Sequence, residues 1–126
     1  MDDMAFHQEQ LSLLGRFNDL LQGAAASPGG ENLANLAEQF QALVSEPSGI
    51  HDDGPPLIAR MLTTAPQLAE SFPRETLWYL GGECLHFMPD EEIERYSSLD
   101  EQRREAHAHG HDYDWATARA AMMKLQ

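Results

Sequence analysis

The chain has 126 residues, of which 21 are acidic and only 8 are basic, so its formal net charge is −13. This length and a hydrophobic content of 42% suit one soluble globular domain with a single core, which we expect to span residues 1–126. The acidic excess opposes binding to nucleic acid or to an anionic membrane surface, because both are bound by clustered lysine and arginine. The apolar runs are too short to span a bilayer.

The first half of the chain is predicted to form three helices. Apolar residues recur at helical spacing in 4–22, 31–44 and 56–65. Loops are expected at 23–30 and 45–56, where glycine, proline and serine cluster. Asp53 is expected to cap the third helix, which would start at the adjacent Pro55-Pro56. Pro66 is then predicted to end that helix or to begin a short new one, because proline cannot donate a backbone hydrogen bond.

The segment that follows allows two structures. Pro73 fits the first position of a helix that would continue through Gly81-Gly82 to Met88. Each glycine in a helix interior costs about 1 kcal/mol relative to alanine, so 77–87 could instead form a two-stranded hairpin around the glycines. We favour the helix, because an isolated hairpin is poorly stable and no other segment has the pattern of a strand.

Three helix starts are predicted in the last third of the chain. Pro89 with the acids after it fits a helix N-terminus, since acidic side chains interact favourably with the helix dipole there. Ser98 to Glu101 matches a capping box and predicts a new helix, whose first acids can pair with Arg104. The last helix is expected to start near Asp112 or Asp114. Its apolar stripe is Trp115, Ala118, Met122 and Leu125. The sequence therefore predicts an all-α, compact single-domain bundle of about six or seven short helices.

The cysteine content indicates a reducing compartment. Cys84 is the only cysteine, so no internal disulfide can form. The acidic first residues also lack the basic region of a secretion signal. We therefore expect the protein in the cytoplasm, with Cys84 as a buried apolar residue and not as a nucleophile.

A cluster of histidines and aspartates is the most unusual motif. It comprises His107, His109, His111, Asp112 and Asp114. Imidazole and carboxylate together suit a divalent transition metal, and on an extended loop the alternating histidines could converge on one ion. Gly110 indicates that a helix ends here, and His51 could supply a further ligand. The competing interpretation is a solvated helix end whose aspartates cap the next helix.

Two other pairs have a spacing that can support chemistry. Glu83 and His86 would share one helix face, but a di-metal bundle needs two such pairs and the chain has one. Glu83 is thus expected to face solvent and His86 to pack beside Met88. His51 and Asp52 could form a general base with its orienting acid, but adjacent side chains usually point apart. We assign no catalytic residue.

An aromatic segment next to acidic residues is the candidate partner-binding patch. It comprises Trp78, Tyr79, Phe87, Asp90 and Glu91. Tryptophan and tyrosine are enriched at interface hot spots, although these aromatic residues could equally fill the core.

The leading hypothesis is a small acidic protein that acts by protein–protein contact, as a regulator, adaptor or inhibitor (immunity) protein against a basic partner. It would be a monomer or homodimer, without a cofactor and without enzymatic activity. The alternative is a metal-binding protein or metal-dependent enzyme that uses residues 107–114. A third possibility is a pH-responsive switch, since the chain has six histidines.

Overall fold

The computed structural model describes residues 1–124, in which every regular element is a helix. The α-helices are α1 (Asp3–Ala26), α2 (Ala34–Ser45), α3 (Ile50–Thr64), α4 (Arg74–Leu80), α5 (Asp90–Ala108) and α6 (Trp115–Met123). Short 3₁₀ helices lie at Glu31–Leu33, Pro47–Gly49, Pro66–Leu68 and Gly82–Phe87. Residues 1–124 contain no strand, so the prediction of an all-α bundle is confirmed.

The first helix is longer than its apolar stripe predicts. α1 begins after Asp2, whose side chain accepts a hydrogen bond from the Ala5 N–H at 2.7 Å. It continues to Ala26, so the loop expected at 23–30 starts too early in the prediction. Three consecutive alanines after Gly23 explain the extension, because alanine is the strongest helix former.

The prediction for the start of α3 is wrong. The helix begins at Ile50 and includes Pro55 and Pro56, so Asp53 lies within its first turn and does not cap it. Two tertiary contacts favour the earlier start: Ile50 is buried, and Pro55 is buried against Gly82. Burial of these side chains offsets the backbone hydrogen bonds that the prolines cannot make. The break predicted at Pro66 is confirmed, since a 3₁₀ helix starts there.

Neither structure predicted for 73–88 is fully correct. α4 covers Arg74–Leu80, and Gly81 ends it with a φ of 69°. Gly82 also has a positive φ, of 54°, and begins the 3₁₀ helix that contains Cys84. Such backbone angles suit glycine and are unfavourable for other residues, so the glycine pair turns the chain between two helices. The hairpin is wrong, and the single long helix is correct only as far as Leu80.

The second capping signal in the last third does not start a helix. α5 is one helix of 19 residues, and Ser98 lies in its interior with its hydroxyl accepting from Gln102. The sequence around Ser98 contains no glycine or proline, so nothing interrupts the helix there. At α6 the prediction is confirmed, since Asp114 accepts a hydrogen bond from the Thr117 N–H at 3.1 Å. Leu125 lies outside the described residues.

A buried polar network connects α1, α4 and α6 inside the hydrophobic core. Glu75 accepts hydrogen bonds from Gln10 Nε2 and Trp115 Nε1, both at 2.9 Å. Arg119 forms an ion pair with the same carboxylate, and the Thr76 hydroxyl donates to Gln10 Oε1 at 2.8 Å. This network fixes α4 in position, and α4 carries two aromatic residues of the predicted partner-binding patch. No helix within residues 1–124 has the length and hydropathy required to cross a membrane.

Candidate functional site

A cleft of about 470 Å³ opens beside the end of α4, and we call it the Tyr79 cleft. Its aromatic wall consists of Phe6, His51, Trp78 and Tyr79. Its charged residues are Asp3, Asp100, Arg103 and Arg104. Four helices contribute, namely α1, α3, α4 and α5. Trp78 and Tyr79, two of the five residues predicted to bind a partner, therefore share one concave site.

Tyr79 is held by the aromatic side chains around it. Its hydroxyl forms a short hydrogen bond with Nδ1 of His7. The ring of His51 packs edge-on at a centroid distance of 4.9 Å, and the ring of Phe6 does so at 5.4 Å. Burial raises the pKa of Tyr79, and the nearby Asp3 raises it further. The phenol is therefore neutral at physiological pH, and Tyr79 contributes an uncharged aromatic side chain to the lining of the cleft.

Trp78 is anchored against α5. Its indole stacks on Tyr96 with ring centroids 6.2 Å apart, and its Nε1 donates to the Ser97 hydroxyl at 3.2 Å. The side chain is half-buried, as Tyr79 is, so both aromatic residues lie at the edge of the core.

Arg103 forms the charged floor of the cleft. Its side chain is only 2% exposed, and its guanidinium lies 4.8 Å from the ring centre of Phe6. It donates to Asp100 Oδ1 at 2.8 and 3.1 Å, to Asp3 Oδ1 at 2.8 Å and to the Met1 carbonyl at 3.0 Å. Burial alone would lower the pKa of Arg103, but the hydrogen bonds to Asp3 and Asp100 outweigh burial and raise it. The buried charge is thus compensated within the fold.

Arg104 occupies the mouth of the same site. Its Nε lies 3.1 Å from Asp100 Oδ2, which confirms the predicted pairing of an acid of this turn with Arg104. A second carboxylate, Asp3 Oδ1, lies 3.9 Å from that Nε. The Arg104 side chain is 65% exposed and the Asp3 side chain 79% exposed. The hydrogen bond from Arg103 is the main reason that the pKa of Asp3 is lowered.

The other three residues predicted to bind a partner lie elsewhere on the surface. Asp90 and Glu91 are exposed in the first turn of α5, and Glu91 lies 3.9 Å from Arg95. Phe87 is half-buried, and its carbonyl accepts from Arg74 at 3.1 Å. None of the three lines the Tyr79 cleft. The predicted patch is therefore divided between two ends of the α4–α5 surface.

The structure spreads the residues of the predicted metal site along a turn. His107 lies in the last turn of α5 and His109 follows as the C-cap, so these two histidines do not lie on an extended loop. Gly110, with a φ of 72°, ends the helix as predicted. The rings of His109 and His111 lie 6.4 Å apart. Within residues 1–124, no three histidine, cysteine, aspartate or glutamate side chains are placed to hold one metal ion.

The remaining candidate ligands of that site have other contacts. His51 packs against Tyr79 and stacks on His7 at 6.5 Å. Asp114 caps α6 through Thr117, which lowers the pKa of this carboxyl group. Asp112 is exposed. The structure thus gives these side chains no shared coordination geometry, and the metal site stays a prediction.

The remaining candidates from the sequence are Cys84, Glu83 and His86, and none of them has the surroundings of a reactive group. Cys84 is fully buried, and burial raises the pKa of its thiol to about 12, as expected for a core residue and not for a nucleophile. Glu83 is exposed as predicted. His86 is also exposed, so the prediction that it packs beside Met88 is wrong. It lies in a 3₁₀ helix of 3.0 residues per turn, in which residues 86 and 83 share the exposed face.

Sequence reasoning missed several residues of the cleft. Asp3 and Phe6 come from the first turns of α1, about a hundred residues before Arg103. The available signal was the doublet Arg103-Arg104, which is the only pair of adjacent basic residues in a strongly acidic chain.

Comparison with protein families identifies the family of this chain. The model of the PA2817-like family matches residues 3–126, nearly the whole chain. No curated protein and no solved structure matches the chain.

Proposed function

The chain belongs to the PA2817-like family, and we propose that it is a non-enzymatic binding protein whose partner is a basic protein. It would act in the cytoplasm as a regulator, adaptor or inhibitor, as a monomer or homodimer. The observation that carries this proposal is the way the fold distributes its charged side chains.

The exposed surface has a higher ratio of acidic to basic side chains than the composition implies. Of the 21 acidic side chains, eighteen are exposed, whereas only four of the eight basic side chains are. Five basic residues form ion pairs within the described part of the chain: Arg74, Arg95, Arg103, Arg104 and Arg119. The fold therefore uses most of its cations internally and presents carboxylates to the solvent. Such a surface accelerates association with a positively charged protein and disfavours acidic competitors.

The Tyr79 cleft supplies the residues that could anchor such a partner. Tryptophan, tyrosine and arginine are the residue types that dominate interface hot spots, and the partly exposed Trp78, Tyr79 and Arg104 lie together here. Trp78 and Tyr79 are already fixed by hydrogen bonds to Ser97 and His7. Binding would therefore cost little additional side-chain entropy.

The acidic start of α5 lies close enough to take part in the same interface. Glu91 and Arg103 are separated by twelve residues of one α-helix, which corresponds to about 18 Å. A standard interface buries about 800 Å² on each partner and is roughly 30 Å across. The two halves of the sequence-predicted patch can thus contact one partner, with the cleft as the centre and Asp90 and Glu91 at the rim.

Site-specific photo-crosslinking in cells tests this proposal. A benzophenone amino acid replaces His51, which is exposed beside Tyr79, and in a control strain it replaces Gln67, which is exposed and lines no part of the cleft. We expect one protein with a basic sequence to cross-link from position 51 and not from position 67. Equal cross-linking from both positions, an acidic partner, or a cross-link only to a second copy of this chain would contradict the proposal.

Charge variants then separate attraction from anchoring. Replacing Asp90 by Asn together with Glu91 by Gln should lower the association rate and leave the dissociation rate nearly unchanged, because rim charges act mainly on encounter. Trp78→Ala should instead raise the dissociation rate. Glu70→Gln, which removes one exposed acid outside the proposed interface, is the matched control.

A further inference from the structure

The charge inside the Tyr79 cleft is unlike that of the surrounding surface. Arg103 and Arg104 line the cleft beside Asp3 and Asp100, so its charges balance whereas the surrounding surface is acidic, and His51 forms part of its wall. His107 lies beside Arg104 in the adjoining groove. Exposed charges more than about 8–10 Å away are largely screened at physiological ionic strength, so these local groups determine which ligand the cleft accepts.

Some of these groups can still donate hydrogen bonds. Arg103 already donates four hydrogen bonds, to Asp100, Asp3 and the Met1 carbonyl. Arg104 makes only its Nε contacts, and within residues 1–124 its two terminal Nη groups have no hydrogen-bond partner. The ring nitrogens of the exposed His51 likewise make no hydrogen bond to any described residue. Arg104 and His51 therefore keep donors that a ligand in the cleft can use.

Asp3 shows that a carboxylate group can bind between the two arginines. Its Oδ1 lies 2.8 Å from Arg103 Nη2 and 3.9 Å from Arg104 Nε. The Asp3 side chain is nevertheless 79% exposed, and Arg103 keeps both of its hydrogen bonds to Asp100 when Asp3 moves away. A carboxylate from another molecule can therefore take the place of Asp3 without uncovering an unpaired charge.

Part of the cleft lining is apolar and aromatic. Tyr79 and Trp78 present partly exposed rings to the cleft. Its volume of about 470 Å³ lies within the range of small-molecule sites, and a few polar groups beside an apolar wall are typical of them.

We propose that the Tyr79 cleft binds a small aromatic carboxylate. Its carboxylate replaces Asp3 between Arg103 and Arg104, and its ring lies against Tyr79 and Trp78. This site does not require the protein partner proposed above, so each proposal can fail without the other.

Titration of the full chain with 2-naphthoate, followed by ¹H–¹⁵N NMR, tests the inference. We expect saturable shifts of the Trp78 indole N–H and of the side-chain signals of Arg104 and His51. Acetate, which lacks the ring, and 2-naphthamide, which lacks the charge, should bind at least about tenfold more weakly.

Two variants should change the affinity in opposite directions. Arg104→Gln should weaken 2-naphthoate binding about tenfold or more, because a charged donor is lost, whereas the matched control Arg16→Gln should not change it. Asp3→Asn should strengthen binding, because it removes the competing carboxylate. Both positions are exposed, so the variants should fold, which circular dichroism checks.

Four results would each overturn the inference. These are the absence of saturable shifts, shifts confined to residues outside the cleft, equal affinity of Arg104→Gln and Arg16→Gln, and weaker binding by Asp3→Asn.

Discussion

Removal of the Glu75 carboxylate should strongly destabilise the fold, because three donors from two other helices depend on it. Gln10 and Trp115 are buried and donate to this carboxylate, and Arg119 pairs with it. Each buried donor left without a partner costs about 1–3 kcal/mol. The ion pair adds only about 0–1 kcal/mol, since the Arg119 side chain is 39% exposed. We therefore expect Glu75→Ala to lower the free energy of unfolding by about 3–5 kcal/mol.

Urea denaturation followed by far-UV circular dichroism measures this loss. With an m-value of about 1–3 kcal/mol/M for a small domain, the midpoint should fall by about 2 M. Glu75→Gln retains the side-chain volume and one acceptor oxygen, so its effect should be smaller. Glu70→Ala, at an exposed glutamate, should change stability by no more than about 0.5 kcal/mol. If Glu75→Ala were as mild as Glu70→Ala, the assignment of Glu75 as the centre of a buried network would be refuted.

Three further predictions concern the glycine turn, the buried thiol and the histidine loop. Gly82→Ala should destabilise the protein by about 1–2 kcal/mol in urea denaturation, because alanine is strained at a φ of 54°. The control Gly23→Ala in α1 should instead stabilise the protein by about 0.5–1 kcal/mol. Equal effects of the two variants would contradict the turn geometry. Since the pKa of Cys84 is about 12 in the fold and about 8.5 in an unfolded chain, its contribution to stability is fully present below pH 8.5 and is lost as the pH rises toward 12. Native Cys84 should thus react with a disulfide reagent at pH 8 far more slowly than in urea, and equal rates would disprove its burial. Native mass spectrometry of untagged protein, purified without a metal column, should show the mass without metal; a stoichiometric metal that is lost in the double variant His109→Ala, His111→Ala would establish the metal site and refute this expectation.

The predictions that succeeded rest on local signals. The apolar stripe of α2, the cap at Asp114 and the pairing of Arg104 with an acid one turn away each involve residues within a few turns of one helix. Such patterns are fixed by helical geometry and do not require knowledge of which helices pack together.

The predictions that failed depend on contacts between distant segments. The early start of α3 reflects burial of Ile50 and packing of Pro55 on Gly82, and neither contact can be derived from the residues around the prolines. The cleft shows the same limit: sequence reasoning found Trp78 and Tyr79 through their residue type. It missed Asp3, whose partner Arg103 lies 100 residues further along the chain.

The contact between Asp3 and Arg103 also determines how far the chain can be shortened. The residues that line the Tyr79 cleft begin at Asp3 and end at Arg104, so any truncated form with a complete cleft must retain nearly the whole described chain. A fragment that ends before α5 lacks both arginines, and one that starts after α1 lacks Asp3 and Phe6. No single fragment can therefore form the complete cleft. Proteolysis at one internal bond, followed by separation of the fragments, should abolish every activity that depends on the cleft.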